Sequence, residues 1–196
     1  LLTSALETMG KANSPEESRT AACGIGAAIG ALGEAQLAKH DVIKLLGTTM
    51  ETKSKTAANS REAATLAAGY LCMTLGFKFE PYSIPMLSGL VKAIVDKDKK
   101  VADAAALTLR AAISNLSTLS VKSVLPALYE GMQVVGGGGR TKVECLQLAA
   151  TLATKAPRTM GPCLPECIPL VMECLNDSNA KVQSAAYDAL NDLITC

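Results

Sequence analysis

Lys-Val occurs at Lys100-Val101, Lys142-Val143 and Lys181-Val182, at spacings of 42 and 39 residues. Each pair opens a stretch rich in Ala and Leu, over 101–114, 143–154 and 182–194. The first and third stretches correspond closely. Asp96 and Asp177 each stand five residues before the Val, and Ala104-Ala105 matches Ala185-Ala186 as Leu109 matches Leu190. A recurrence near 40 residues is too long for one helix and suits a helix pair. One such pair cannot bury its apolar stripe alone, so the neighbouring pairs must supply the core.

Reading outward from these anchors predicts a single array over 1–196, with pairs at roughly 2–32, 37–75, 80–116, 119–155 and 157–195. The first helices fall at 2–9, 37–50, 82–95, 121–134 and 160–175. The second helices fall at 15–32, 61–75, 100–116, 141–155 and 180–194. Ser14-Pro15-Glu16-Glu17 reads as a helix start, with Ser as cap, Pro in the first turn and acids at the positive dipole end. Pro81, Pro85, Pro126, Pro165 and Pro169 lie early or midway in first helices, where they are expected to bend or restart them. Aromatic residues make up only 3% of the chain and Trp is absent. Helices of Ala and Leu approach closely without large rings to fill gaps, whereas a β-sandwich core needs them. The expected fold is all-α: an α-solenoid of about five HEAT-type helix pairs, wound as a right-handed superhelix. Since the chain runs from Leu1 to Cys196, it reads as an internal piece of a longer array.

Several function classes find little support. A net charge of +1 implies no whole-molecule attraction to nucleic acid or anionic lipid. No apolar run reaches the roughly 20 residues that span a bilayer, so no membrane partner is expected. Cys23, Cys72, Cys145, Cys163, Cys167, Cys174 and Cys196 are an odd set, mostly within apolar helical stretches. They read as free thiols packed in a core, in a reducing compartment with the cytoplasm as default. Cys163, Cys167 and Cys174 share a helical face, but zinc needs four ligands and no second pair lies at a suitable spacing. His40 has no evident Cys or Ser partner and reads as a capping or packing residue. Gly136 to Gly139 followed by Arg140-Thr141-Lys142 departs from the phosphate-loop order, which places Lys directly after Gly and before Ser or Thr. A turn within a helix pair is expected there. Catalysis, cofactor and small-molecule ligand are therefore not expected of this chain.

The basic residues carry more information. Lys53, Lys55 and Arg61 fall in one intra-pair turn, and Lys97, Lys99 and Lys100 in the next. Arg140 and Lys142 belong to the fourth pair and Lys181 to the fifth. Equivalent turns of a solenoid lie along one edge, so these side chains are expected to form a ladder able to meet phosphates of an RNA backbone. Scarcity of aromatic rings argues against base stacking and for backbone contact.

Several stretches also carry a resemblance. His40-Asp41-Val42, Lys55-Thr56-Ala57-Ala58-Asn59, Glu80-Pro81-Tyr82, Lys97-Asp98-Lys99, Leu125-Pro126, Pro165-Glu166, Ile168-Pro169 and Lys181-Val182 follow in order across about 37–190. In these the chain resembles the N-terminal HEAT region of translation elongation factor 3, a fungal-type ribosome-dependent ATPase. Phe79-Glu80-Pro81-Tyr82, Ser114-Asn115-Leu116-Ser117 and Arg140-Thr141-Lys142 are also similar to the large ribosome-associated activator of the amino-acid starvation kinase. Either resemblance implies docking on the ribosome, through rRNA backbone and ribosomal proteins, with other translation factors as further partners; the alternative from another class is a generic protein-binding HEAT scaffold. The elongation-factor resemblance also implies a parent that couples ATP hydrolysis to release of exit-site tRNA, through cassettes absent from this segment. That family usually carries a Trp before the helix at Thr141. Val134-Val135 and the glycines stand there instead, so a contact made by that Trp does not carry over.

Overall fold

The computed structural model describes residues 1–134 and 139–196, with Lys55 described in its backbone alone. Every regular element among them is helical. Helix α1 (Leu2–Gly10) pairs with α2 (Pro15–Leu32), and α3 (Ala35–Lys39) and α4 (Val42–Met50) lead into α5 (Ala58–Leu75). Next come α6 (Glu80–Ala93) with α7 (Lys99–Asn115), and α8 (Val121–Met132) with α9 (Arg140–Lys155). The last pair is α10 (Pro157–Met160) and α11 (Leu164–Leu175) with α12 (Ala180–Ile194). These elements fall into two compact units, Leu1–Asn115 and Leu116–Cys196. No helix among the described residues is long and apolar enough to cross a membrane.

Local chemistry explains the helix starts. Ser14 Oγ accepts the Glu17 amide at 3.2 Å, and the Glu17 carboxylate accepts the Asn13 amide at 2.8 Å. Such a cap stabilises a helix by about 1 kcal/mol. Pro81 and Pro165 occupy opening turns, as expected, while α6, α8 and α11 run on through Pro85, Pro126 and Pro169. Each of these three prolines is the sixth residue of its helix. The missing N–H would have bonded the carbonyl of the second residue, so the loss falls at the helix end, beside groups that have no intrahelical partner anyway. A 3₁₀ turn leads into each of these helices, at Gly76–Phe79, Thr118–Ser120 and Gly161–Cys163.

Two expectations need correction. The helix expected over 37–50 is broken at His40-Asp41, where Asp41 adopts φ 47, in the left-handed region that Asp tolerates better than most residues. The Lys-Val recurrence is also out of step with the packing at its middle member. Val101, Thr141 and Val182 are the buried first-turn residues of α7, α9 and α12, at 2%, 2% and 0% exposure. Their spacings are 40 and 41 residues, and Val143 is only half-buried. The same shift aligns Ala104 with Glu144 and Ala185, and Ala105 with Cys145 and Ala186, all of them buried.

In the first unit the second helices α2, α5 and α7 lie side by side, with α5 in the middle. Between Ser60 and Cys72, α5 is buried at all but Leu66 and Tyr70. Glycines permit the approach. A Cβ on Gly26 would lie 2.7 Å from Tyr70 Cβ, and one on Gly69 would lie 2.8 Å from Thr108 Oγ1. Hydroxyls bridge the same seams, with Ser18 donating to the Asn59 carbonyl at 2.9 Å and Thr108 to the Thr65 carbonyl at 2.8 Å. In the second unit α9 packs on α12, α8 on α9 and α11 on α12. Leu128, Leu146, Val171, Val182 and Leu193 fill its core beside Cys145, Cys167 and Cys174.

Candidate nucleic-acid interface

Two turns of near-identical construction place the lysines. In the first unit Asp96 Oδ1 accepts the Asp98 amide at 2.8 Å, and Asp98 Oδ1 accepts the Lys100 amide at 2.9 Å. In the second unit Asp177 Oδ1 accepts the Asn179 amide at 2.9 Å, and Asn179 Oδ1 accepts the Lys181 amide at 3.0 Å. Short polar side chains thus satisfy the first amides of α7 and α12 and fix where the helix begins. Lys100 and Lys181 therefore occupy the same station, one residue before Val101 and Val182, and both are exposed. Lys53, Lys97 and Lys99 are exposed as well.

Arg61 and Lys142 are placed differently. Arg61 is buried, at 8% exposure. Its Nη1 donates to the carbonyls of Thr52 and Ser54 at 3.2 and 2.7 Å, and its Nη2 lies 3.1 Å from Asp96 Oδ1. The guanidinium therefore clamps one turn to the next. Lys142 Nζ sits 2.7 Å from Asp177 Oδ2, and that bond, with the Asn179 amide behind it, holds the Asp177 carboxyl below its ordinary range. Both braces link residues 35 apart. A cation at the start of a second helix and an acid in the following turn is a signal that sequence reading could have used. Arg140, the first residue of α9, is half-buried. The side chain of Lys55 lies outside the described residues, as do Gly136, Gly137 and Gly138. Gly139 is described, at φ +27, and a side chain there would collide with Asn179 and Val182.

The first of these braces borders a hollow of about 560 Å³ lined by Glu51, Thr52, Lys53, Arg61, Asp96, Lys97 and Asp98 among others. The structure thus brings Lys53 and Lys97 together at one rim. Acids and bases balance on the lining, so the hollow carries no net charge of its own. A buried carboxylate with an unmet oxygen was also not anticipated from sequence. Glu62 is 3% exposed, its Oε2 has no hydrogen-bond partner, and burial raises its pKa against the opposing pull of Lys100 and Arg19.

The cysteines are free thiols, exposed at Cys23 and Cys196 and buried at Cys72, Cys145, Cys163, Cys167 and Cys174. Burial pushes Cys72 and Cys145 up to about 12 and Cys167 to about 11, which leaves them protonated and inert near neutral pH. Among the described residues no group of three or more His, Cys, Asp and Glu is placed to hold a metal ion.

Comparison with known proteins matches a family described as "EF3 N-terminal HEAT repeat" over residues 18–190. An eIF-2-alpha kinase activator GCN1 of Dictyostelium discoideum is 36% identical over 89% of this chain and 6% of its own length. The stalled ribosome sensor GCN1 of Homo sapiens is 33% identical over 90% of this chain and 6% of its own. An elongation factor 3 of Gonapodya prolifera is 30% identical over 89% of this chain and 16% of its own. The chain therefore spans less than a fifth of each of these relatives. Among solved structures, a designed armadillo repeat protein in complex with the peptide (KR)4 superimposes with a TM-score of 0.55 at 16% identity, covering 98% of this chain and 91% of that one. That likeness bears on the fold alone, an armadillo-like solenoid of helical repeats.

Proposed function

Since the chain belongs to the EF3 N-terminal HEAT-repeat family, we propose that it is a non-catalytic docking domain by which a larger cytoplasmic translation factor engages the ribosome. The family match carries this reading, because relatives on both of its branches bear names of ribosome-linked proteins, an elongation factor and a stalled-ribosome sensor. Contact is made with rRNA backbone and ribosomal proteins. The RNA part falls to the exposed Lys53, Lys97, Lys99, Lys100 and Lys181, together with Arg140 and Lys55. Arg61 and Lys142 hold the turns that present these lysines. The bond types suit this role, since ammonium groups on flexible stems neutralise phosphate without reading bases.

Two parents fit such a domain. An elongation factor would add ATP-binding cassettes and support elongation, whereas the kinase activator would signal from the ribosome. The 36% identity to the Dictyostelium GCN1, against 30% to the Gonapodya elongation factor, favours the second parent, and both rest on the same docking step. Ribosome co-sedimentation tests the step. Replacing Lys97, Lys99 and Lys100 together by Glu is expected to lower affinity strongly at low salt. Some loss of melting temperature accompanies it, because Lys100 offsets the buried Glu62 carboxylate, and the variant with Lys97 and Lys99 alone replaced by Glu serves as the fold control. Equal binding by wild type and triple variant at every salt concentration would move the docking surface elsewhere.

A further inference from the structure

The second unit holds a groove that the phosphate-facing lysines do not use. It runs between α9 and α12, encloses about 480 Å³, and is lined by Gln147, Ala150, Thr151, Thr154, Lys155, Ala185, Asp188, Ala189 and Asp192. Its floor is made of small residues, since Ala150, Ala185 and Ala189 are buried. Asp188 and Asp192 are exposed on one wall, a single helical turn apart. Gln147 stands on the opposite wall, where its amide offers both a donor and an acceptor. Lys155 closes one end, and its Nζ donates to the Leu116 carbonyl at 2.7 Å.

The first unit lacks this groove's chemistry at the same stations. Along the register that matches Arg61 with Lys142, as the two braces do, and Val101 with Val182, Gln147 stands where α5 carries Leu66 and Thr151 where it carries Tyr70. Asp188 likewise stands where α7 carries the exposed Leu107. The polar and acidic walls are therefore particular to this seam and not a by-product of stacking helices.

We propose that the α9–α12 groove binds an extended segment of a partner protein that carries basic side chains at alternate positions. Spacing supplies the register. Four residues of helix rise about 6 Å, which separates the Asp188 and Asp192 stations. Alternate residues of an extended chain, whose side chains point the same way, are about 6.6 Å apart. Two Lys or Arg residues at positions i and i+2 therefore meet the two carboxylates, while the Gln147 amide bonds the peptide backbone between them. The stretch from Gln147 to Thr154 covers roughly 10 Å, enough for about three extended residues. An RNA strand fits this wall poorly, because both carboxylates repel phosphate.

Fluorescence anisotropy on the whole chain tests the proposal. One labelled probe alternates four arginines with alanines, and a second carries the same residues with the arginines paired. The alternating peptide is expected to bind more tightly than the paired one. D188N/D192N should weaken its binding roughly tenfold, as two partly exposed ion pairs disappear. A150Y, which fills the floor without changing charge, should abolish it. Should A150Y melt early, the D188N/D192N arm still decides, because both side chains are exposed and their replacement leaves the fold intact. Failure of the wild type to bind either peptide overturns the proposal, as does unchanged affinity in D188N/D192N. A labelled rRNA oligonucleotide serves as the third probe. Loss of RNA binding in A150Y with peptide binding unaltered would assign the groove to RNA instead. Ribosome docking through the lysines stands or falls separately, because none of these substitutions touches them.

Discussion

Arg61 and Glu62 are neighbours on α5, both are buried, and they differ in how well their charge is met. Arg61 reaches two carbonyls and a carboxylate. Glu62 leaves Oε2 without a partner, and desolvation raises its pKa. Because the folded-state value lies above the unfolded one, the folded chain holds the proton more readily. Stability linked to this group is therefore greatest at low pH and declines as pH rises through the folded-state value. Glu62→Gln should raise the melting temperature at neutral pH by the equivalent of about 1 kcal/mol. The gain should vanish as pH falls below the ordinary carboxylate range. Melts across pH 3–8, equal for both proteins throughout, would show that Glu62 is already balanced by Lys100 and Arg19. Neither role was legible in the sequence. Arg-Glu at a helix start reads as solvated charge, and only the packing of α2 and α7 on both sides of α5 buries it.

At the scale of elements, the helices were legible because Ala and Leu periodicity and the Ser14 and Asp-based caps act locally. The turn chemistry was legible in part, since Asp96 and Asp177 were visible at a fixed offset before a Val. What they bond to was not, because their partners lie 35 residues back, across a repeat. The break at His40-Asp41 was hidden for a related reason: Asp is no glycine, and a left-handed residue there depends on its surroundings. The two braces should differ in weight. Asp96→Ala strands a guanidinium that is nearly enclosed and also removes the acceptor for the Asp98 amide, so a loss of about 2 kcal/mol is expected. Asp177→Ala should cost less, because Lys142 can turn its ammonium to water. Its effect should fade in acid as the wild-type carboxylate itself becomes protonated. Urea unfolding of both variants at neutral pH measures the difference, and equal losses would mean that burial does not set the strength of these ion pairs.

For the whole molecule, the recurring turn makes a near-neutral chain a carrier of localised charge. Lys100 and Lys181 sit at one station of two repeats that belong to different compact units, each fixed by the same pair of side-chain-to-amide bonds. If both units face one RNA, each lysine adds its own counterion release, and the dependence of affinity on salt becomes the count of stations engaged. The slope of log affinity against log salt should then become shallower by roughly one for each phosphate that is no longer neutralised. Lys100→Glu and Lys181→Glu should each flatten it, and the double variant should flatten it by the sum. Filter binding of an rRNA fragment at several salt concentrations gives the three slopes. A double variant no flatter than Lys100→Glu alone would mean that RNA meets the first unit only, leaving the second unit to its protein-facing groove.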